Sequence, residues 1–283
     1  MCRKKISITP VLFAGIAASV LVLSSCGSKE EDGDLKDFEQ TTDTIKSEVR
    51  INFDLLRVNI PSPSELNKKL STAKIAYNKS FLLSSGKGGS FSSNPQKAIG
   101  LGAFGSDLGL AAAYNQSQDA IEYLTQMGKL ATDLGIGTAF DPEFSKQLLS
   151  SINKPDTFQI KLDQAFDKAE RNLRSNQRVA ISVMMVTGGW VESLYTSVEG
   201  LNTNAASPNA KAIYNDISVH CHAFDYVFQL LEAYKSNADC AKVLKDMEPF
   251  KATLLGFGKV GWGTESLPKL RETTTALRAK IIG

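Results

Sequence analysis

Beyond residue 34, apolar side chains recur at intervals of three and four, the spacing of one face of an α-helix. Leu35, Phe38, Ile45, Val49, Phe53 and Leu56 set the pattern, with Thr42 filling the gap. The second half of that run, 49–60, also alternates in places, which leaves room for a short extended piece. Further on, the same period predicts helices over 63–82, 96–114, 117–134, 142–152, 157–175, 177–199, 208–235, 239–255 and 265–281. Ser62-Pro63-Ser64-Glu65 carries two start signals, a proline at the first helical position and a serine with glutamate three later. Asp141-Pro142-Glu143 and Ser207-Pro208 repeat the device. The Ser/Gly stretch 84–95 and the polar stretch 200–207 read as loops. With few strand-like runs and no βαβ alternation, the expected fold is all-α, a multi-helix bundle of antiparallel hairpins. The hairpins follow no fixed period, which argues against a tetratricopeptide-type solenoid.

Two predicted helices belong at the centre. Val179 to Val191 is apolar almost all round, which marks a buried helix, and it is too short to span a bilayer. Along 98–113, Ala98, Gly102, Gly105, Gly109 and Ala112 share one face. Interior glycine costs a helix up to about 1 kcal/mol relative to alanine, so close backbone packing is the expected return.

The first 25 residues follow a different pattern. Arg3, Lys4 and Lys5 precede an apolar stretch from Ile6 to Leu23 and then small residues, the layout of a secretory signal peptide. Leu23-Ser24-Ser25-Cys26 resembles the lipobox of bacterial lipoproteins, in which cleavage precedes a cysteine that becomes acylated. The competing reading is an uncleaved membrane anchor, against which Pro10 and the lipobox both weigh. Cleavage would leave 258 residues with 29 basic and 30 acidic side chains, attached to the membrane through acyl chains. Residues 26–48 then form a lipidated tether and the start of the first helix, and 49–283 a single helical domain, with a subdivision near 200–207 left open. Within the tether, Ser28-Lys29-Glu30-Glu31-Asp32 resembles the acidic export signal of Bacteroides-type lipoproteins, which implies an outer-membrane protein facing outward. Any solvated acidic tether has the same composition, so a periplasm-facing protein stays open.

Composition narrows the function classes. A chain of 283 residues with 42% hydrophobic and 22% charged residues is an ordinary globular protein that needs no disulfide or metal staples. A net charge of +2 lacks the basic stripe of a nucleic-acid binder. Gly100-Leu101-Gly102-Ala103-Phe104-Gly105 matches the dinucleotide pattern G-x-G-x-x-G, but a helix start at Asn94-Pro95-Gln96-Lys97 precedes it where the chemistry needs a strand. A second match, Gly256 to Gly261, follows a helix in what reads as a glycine-rich connector. Gly86-Lys87-Gly88-Gly89 lacks P-loop spacing. His220-Cys221-His222 is the one close set of soft ligands, and on a helix its imidazoles point to nearly opposite sides. Cys221 lies on an apolar stripe, and its predicted distance from Cys240 along one long helix forbids a bridge, so both read as free buried thiols. Asp163 and Asp167 share a helix face with Lys161 and Lys168 beside them, the usual look of a solvated surface. Trp190 and Tyr195 belong to a mostly buried helix, and Trp262, among glycines, reads as an exposed aromatic suited to a binding surface. No catalytic, cofactor or metal set emerges, and the site residues are the lipobox and the lipidated Cys26.

Gly102-Ala103-Phe104-Gly105-Ser106-Asp107-Leu108, Ala113-Tyr114-Asn115-Gln116, Gly188-Gly189-Trp190-Val191-Glu192 and the start at Ile60 to Pro63 carry a resemblance. Over most of residues 49–201 the chain resembles uncharacterised helical lipoproteins of Bacteroides-type and related bacteria. The resemblance implies fold and address and brings no activity. Asp107 and Glu192, set beside glycines and aromatics, are expected to be buried polar anchors between helices. The preferred expectation is a non-enzymatic, lipid-anchored module that binds a protein partner or ligand at the envelope. Two alternatives stand beside it. A hydrolase acting on glycan or peptide needs a cleft with two convergent carboxylates, and a small-molecule sensor or carrier needs an apolar cavity between helices.

Overall fold

A computed structural model describes residues 53–260 and 263–283. The expected signal peptide, the expected lipobox with Cys26, the expected tether, most of the first predicted helix and Trp262 lie outside the described residues. The described residues all belong to one compact unit. After a helical turn at 53–57, the elements are α1 (Pro63–Thr72), α2 (Asn94–Ala113), α3 (Ser117–Asp133), α4 (Pro142–Leu149) and α5 (Pro155–Ser175). They continue as α6 (Val179–Thr203), α7 (Ala210–His222), α8 (Phe224–Ala233), α9 (Ala238–Val260) and α10 (Leu267–Ile281). Among the described residues there is no strand, and the fold is an all-α bundle of packed helices. None of these helices is long and apolar enough to cross a membrane.

Helix α6 is the axis of the bundle, in contact with α1, α2, α5, α7, α8, α9 and α10. Its most extensive partner is α2, and the small-residue face of α2 is the reason. A Cβ on Gly102 would lie 2.0 Å from the Met185 carbonyl oxygen, and one on Gly188 2.2 Å from that of Ile99. Only hydrogen fits at either position, so the two backbones meet where glycine faces glycine. Aromatic packing closes the other side of α6, where Trp190 meets Phe224 and Phe250 with ring centroids 5.9 and 6.1 Å apart.

The structure corrects several helix boundaries. The helix expected over 63–82 ends at Thr72, because Lys74 takes a left-handed φ of 57° and Ile75 N–H bonds back to Leu70 O. That closure satisfies carbonyls a helix end would otherwise leave bare. The same device ends α2 at Asn115, α3 at Gly135 and α5 at Gln177. Helix α6 runs on to Thr203, which shortens the expected 200–207 loop. The helix expected over 208–235 is two helices parted at Ala223. There the His220 carbonyl accepts both the Ala223 N–H and the Trp190 indole N–H, so it is lost to the regular ladder. Helix α9 continues through Gly256 and Gly258, although a connector was expected there. The alternating stretch is helical over 53–57, so no extended piece forms there.

Candidate functional site

The segment Ile60-Pro61-Ser62-Pro63-Ser64 leads into α1 and lies against α5, and the hydroxyls of its serines hold it there. Ser62 Oγ donates to Asp163 Oδ1 at 2.7 Å, and Ser64 Oγ donates to Asp163 Oδ2 at 2.9 Å. Ser62 also caps α1, accepting from Ser64 N–H. Arg57 fastens the near end, donating to Ile60 O at 3.1 Å and to Glu170 at 3.0 Å. Glu170 is held a second time by Arg174, which also pairs with Asp54.

Between this segment and helices α2, α5 and α6 lies a partly enclosed cavity of about 180 Å³. At roughly 10–15 Å³ per water on the same measure, it has room for on the order of ten waters or a small organic molecule. It exists because Gly102, Gly105, Gly109 and Gly189 bring no side chains to its wall, while Phe166, Met185 and Val186 supply apolar surface. A Cβ on Gly105 would meet the Phe166 ring at 2.2 Å, so that ring rests directly on the α2 backbone. Asp163 and Asp167 stand at the wall, the first half-buried and the second exposed. Burial pushes the Asp163 carboxyl upward, helped by the charge of Asp167 and opposed by the two serine hydroxyls and Arg57. Ser106, also on the wall, is buried, and its hydroxyl has no partner among the described residues.

The reading of Asp163 and Asp167 as a solvated face is corrected for Asp163, which is the fastening point of the segment before α1. Lys161 and Lys168 do not neutralise the pair. They donate to Gln147 O at 3.0 Å and to Thr138 O at 2.7 Å, carbonyls outside α5.

A second polar cluster lies deeper, where Asp107 and Glu192 are both fully buried. Arg278 of α10 donates to Glu192 twice, at 2.7 and 2.6 Å, and its guanidinium lies 4.3 Å from the centre of the Tyr195 ring. Asp107 Oδ2 accepts the Leu83 N–H at 2.8 Å, while its buried Oδ1 has no hydrogen-bond partner among the described residues. Glu192 has both oxygens on the guanidinium, whereas Asp107 accepts no hydrogen bond from a cation among the described residues. Burial first, then the charge of Glu192, drives its pKa well above the usual carboxylate range. These two residues are the polar anchors between helices that their setting in the sequence suggested.

His220 and His222 part as expected. His220 is buried, its ring stacked on Trp190 at 5.5 Å with Nε2 3.4 Å from Trp190 O, whereas His222 is exposed and donates from Nδ1 to Ser218 O. Burial lowers the His220 pKa to about 4. Cys221 and Cys240 are free and buried, and burial raises the Cys240 thiol to about 11. Gly100 to Gly105 lies inside α2, beyond the helix start, so its amides serve the helix ladder and form no phosphate cradle. Spacing in the sequence did not single out Arg57, Ser106 or Arg278. The Pro-Ser-Pro-Ser run was the one available signal for the cavity, and it pointed only to a helix cap.

The two buried titratable groups give stability opposite dependences on pH. Asp107 has a folded value above its unfolded one, so its contribution is complete below about pH 4 and is lost as pH rises through the raised value. His220 has a folded value below its unfolded one, so its contribution is complete above about pH 6.5 and is lost as pH falls through about 4. Between about pH 4 and 6.5 the two slopes oppose each other. Asp107→Asn keeps an acceptor for Leu83 and should remove the falling slope, leaving stability to rise with pH across that range as His220 dictates. Urea unfolding between about pH 5 and 9 checks this. An unchanged pH slope in the variant would assign the titration to another group.

No family model, curated protein or solved structure matches this chain.

Proposed function

We propose that the chain is one of the helical envelope lipoproteins it resembles, held to the outer membrane through acylated Cys26, and that it works there as a non-enzymatic binding module. The cavity between the 60–64 segment and helices α2, α5 and α6 carries the binding reading. It is an apolar space between helices with a few polar groups on its wall, the form of a small-ligand site. The hydrolase alternative draws on Asp163 and Asp167 beside that space. Asp163, however, has both oxygens on serine hydroxyls, and Glu170 is held by two arginines, so neither is free to act as acid or base.

The address is tested in cells. Cys26→Ala should abolish incorporation of a labelled fatty acid and release the protein from the membrane fraction. A membrane-impermeant lysine reagent should modify the wild type on intact cells. Labelling only by a permeant reagent would place the protein on the periplasmic face, and an unchanged membrane fraction for Cys26→Ala would overturn the lipid anchor.

A further inference from the structure

The cavity has an unbalanced charge. Its lining holds one guanidinium, Arg57, against the three carboxylates Asp163, Asp167 and Glu170. Arg57 is committed to Glu170, and the lysines flanking the aspartates in sequence donate to carbonyls elsewhere. Among the described residues, Asp163 and Asp167 therefore have no cationic partner. Asp163 is satisfied as a hydrogen-bond acceptor by two neutral hydroxyls, and the opposite charge that acts on it is that of Arg57, which is already paired with Glu170. A half-buried carboxylate in that position is stabilised by any cation that enters the cavity.

Two further features narrow the cation. The rest of the wall is apolar and aromatic, from Leu162, Phe166, Met185 and Val186, with the unpartnered Ser106 hydroxyl as its one buried polar atom in need of a partner. Among the described residues no group of three carboxylate, imidazole or thiol ligands converges on one point. An apolar wall beside two unneutralised carboxylates suits an organic ammonium better than a metal ion, which would demand several converging oxygens. Resting on the binding reading above, we propose that the cavity binds a small organic ammonium, its charged end toward Asp163 and Asp167 and its apolar body against Phe166, Met185 and Val186.

Titration of the purified full-length lipoprotein in detergent micelles, followed by ligand-detected NMR, tests this with three probes of similar shape. Benzylammonium should bind at least tenfold more tightly than benzyl alcohol, and benzoate should not compete. Asp167→Asn alters an exposed side chain, so its fold is secure, and it should reduce the preference for benzylammonium severalfold. Asp163→Asn should remove most of the remainder. Equal binding of benzyl alcohol and benzylammonium, or a preference unmoved by both variants, overturns the ammonium assignment while leaving the cavity a binding site. Failure of all three probes to bind overturns the assignment and the binding reading together.

Discussion

Replacing Arg278 with alanine is expected to cost about 3–5 kcal/mol of folding stability, the usual result of stripping one partner from a buried ion pair. Glu192 has no exposed surface, and Arg278 supplies the only cationic hydrogen bonds it receives among the described residues. Without the guanidinium, Glu192 must either stay charged in a dry interior or take up a proton beside Asp107, whose own carboxyl burial already drives toward the neutral form. Both outcomes are unfavourable, and α10 also loses the stacking of Arg278 on Tyr195. Seven residues earlier on α10, Arg271 pairs with Glu199 at 2.9 Å, seven residues later on α6. The matched spacing shows two antiparallel helices clipped at two levels. Arg271 lies largely in solvent, so Arg271→Ala should cost less than Arg278→Ala. Adding Glu192→Gln to the Arg278→Ala protein removes the stranded charge and should recover part of the loss. Urea unfolding at neutral pH measures all of these, and a loss below about 1 kcal/mol for Arg278→Ala would mean that water reaches Glu192.

Local pattern carried the helical fold and its central pair, while long-range partners stayed hidden. The α2 face was readable because glycine and alanine spaced by three and four have few uses other than close packing. Asp107 and Glu192 were readable because a carboxylate among glycines and aromatics is out of place on a surface. The end of α1 was not, since its left-handed closing residue is Lys74, and a lysine gives no such signal. Nor was the break at Ala223, where no glycine or proline stands. Its cause is the Trp190 indole, which takes the His220 carbonyl from 30 residues away in sequence. The cavity was concealed in the same way. Asp163 and its neighbouring lysines look like a solvated face until the bundle turns the lysines toward Gln147 and Thr138 and brings Ser62 in from 101 residues away. Arg278 sits in an ordinary amphipathic helix, and only burial of its partner makes it important.

Gly102→Ala should destabilise the protein by about 1–3 kcal/mol, although alanine is the better helix former by about 1 kcal/mol. The two effects have opposite signs, and distance decides between them. The new Cβ would sit 2.0 Å from the Met185 carbonyl oxygen and 2.7 Å from the Gly189 nitrogen. Both are backbone atoms of α6, so no side-chain rotation can relieve the contact. Relief requires α2 and α6 to separate along their most extensive interface, which opens space beside Leu101, Phe104 and Val191, all of them fully buried. Gly188→Ala meets the Ile99 carbonyl at 2.2 Å and should behave alike. Gly128 supplies the control, since it lies within α3 with no atom inside 4 Å of its would-be Cβ. There the helix propensity acts unopposed, and Gly128→Ala should stabilise by about 0.4–1 kcal/mol. Thermal unfolding of the three variants therefore gives two downward shifts and one upward. An upward shift for Gly102→Ala would mean that α2 and α6 lie farther apart than their backbones indicate, and the close glycine-to-glycine crossing at the centre of the bundle would have to be abandoned.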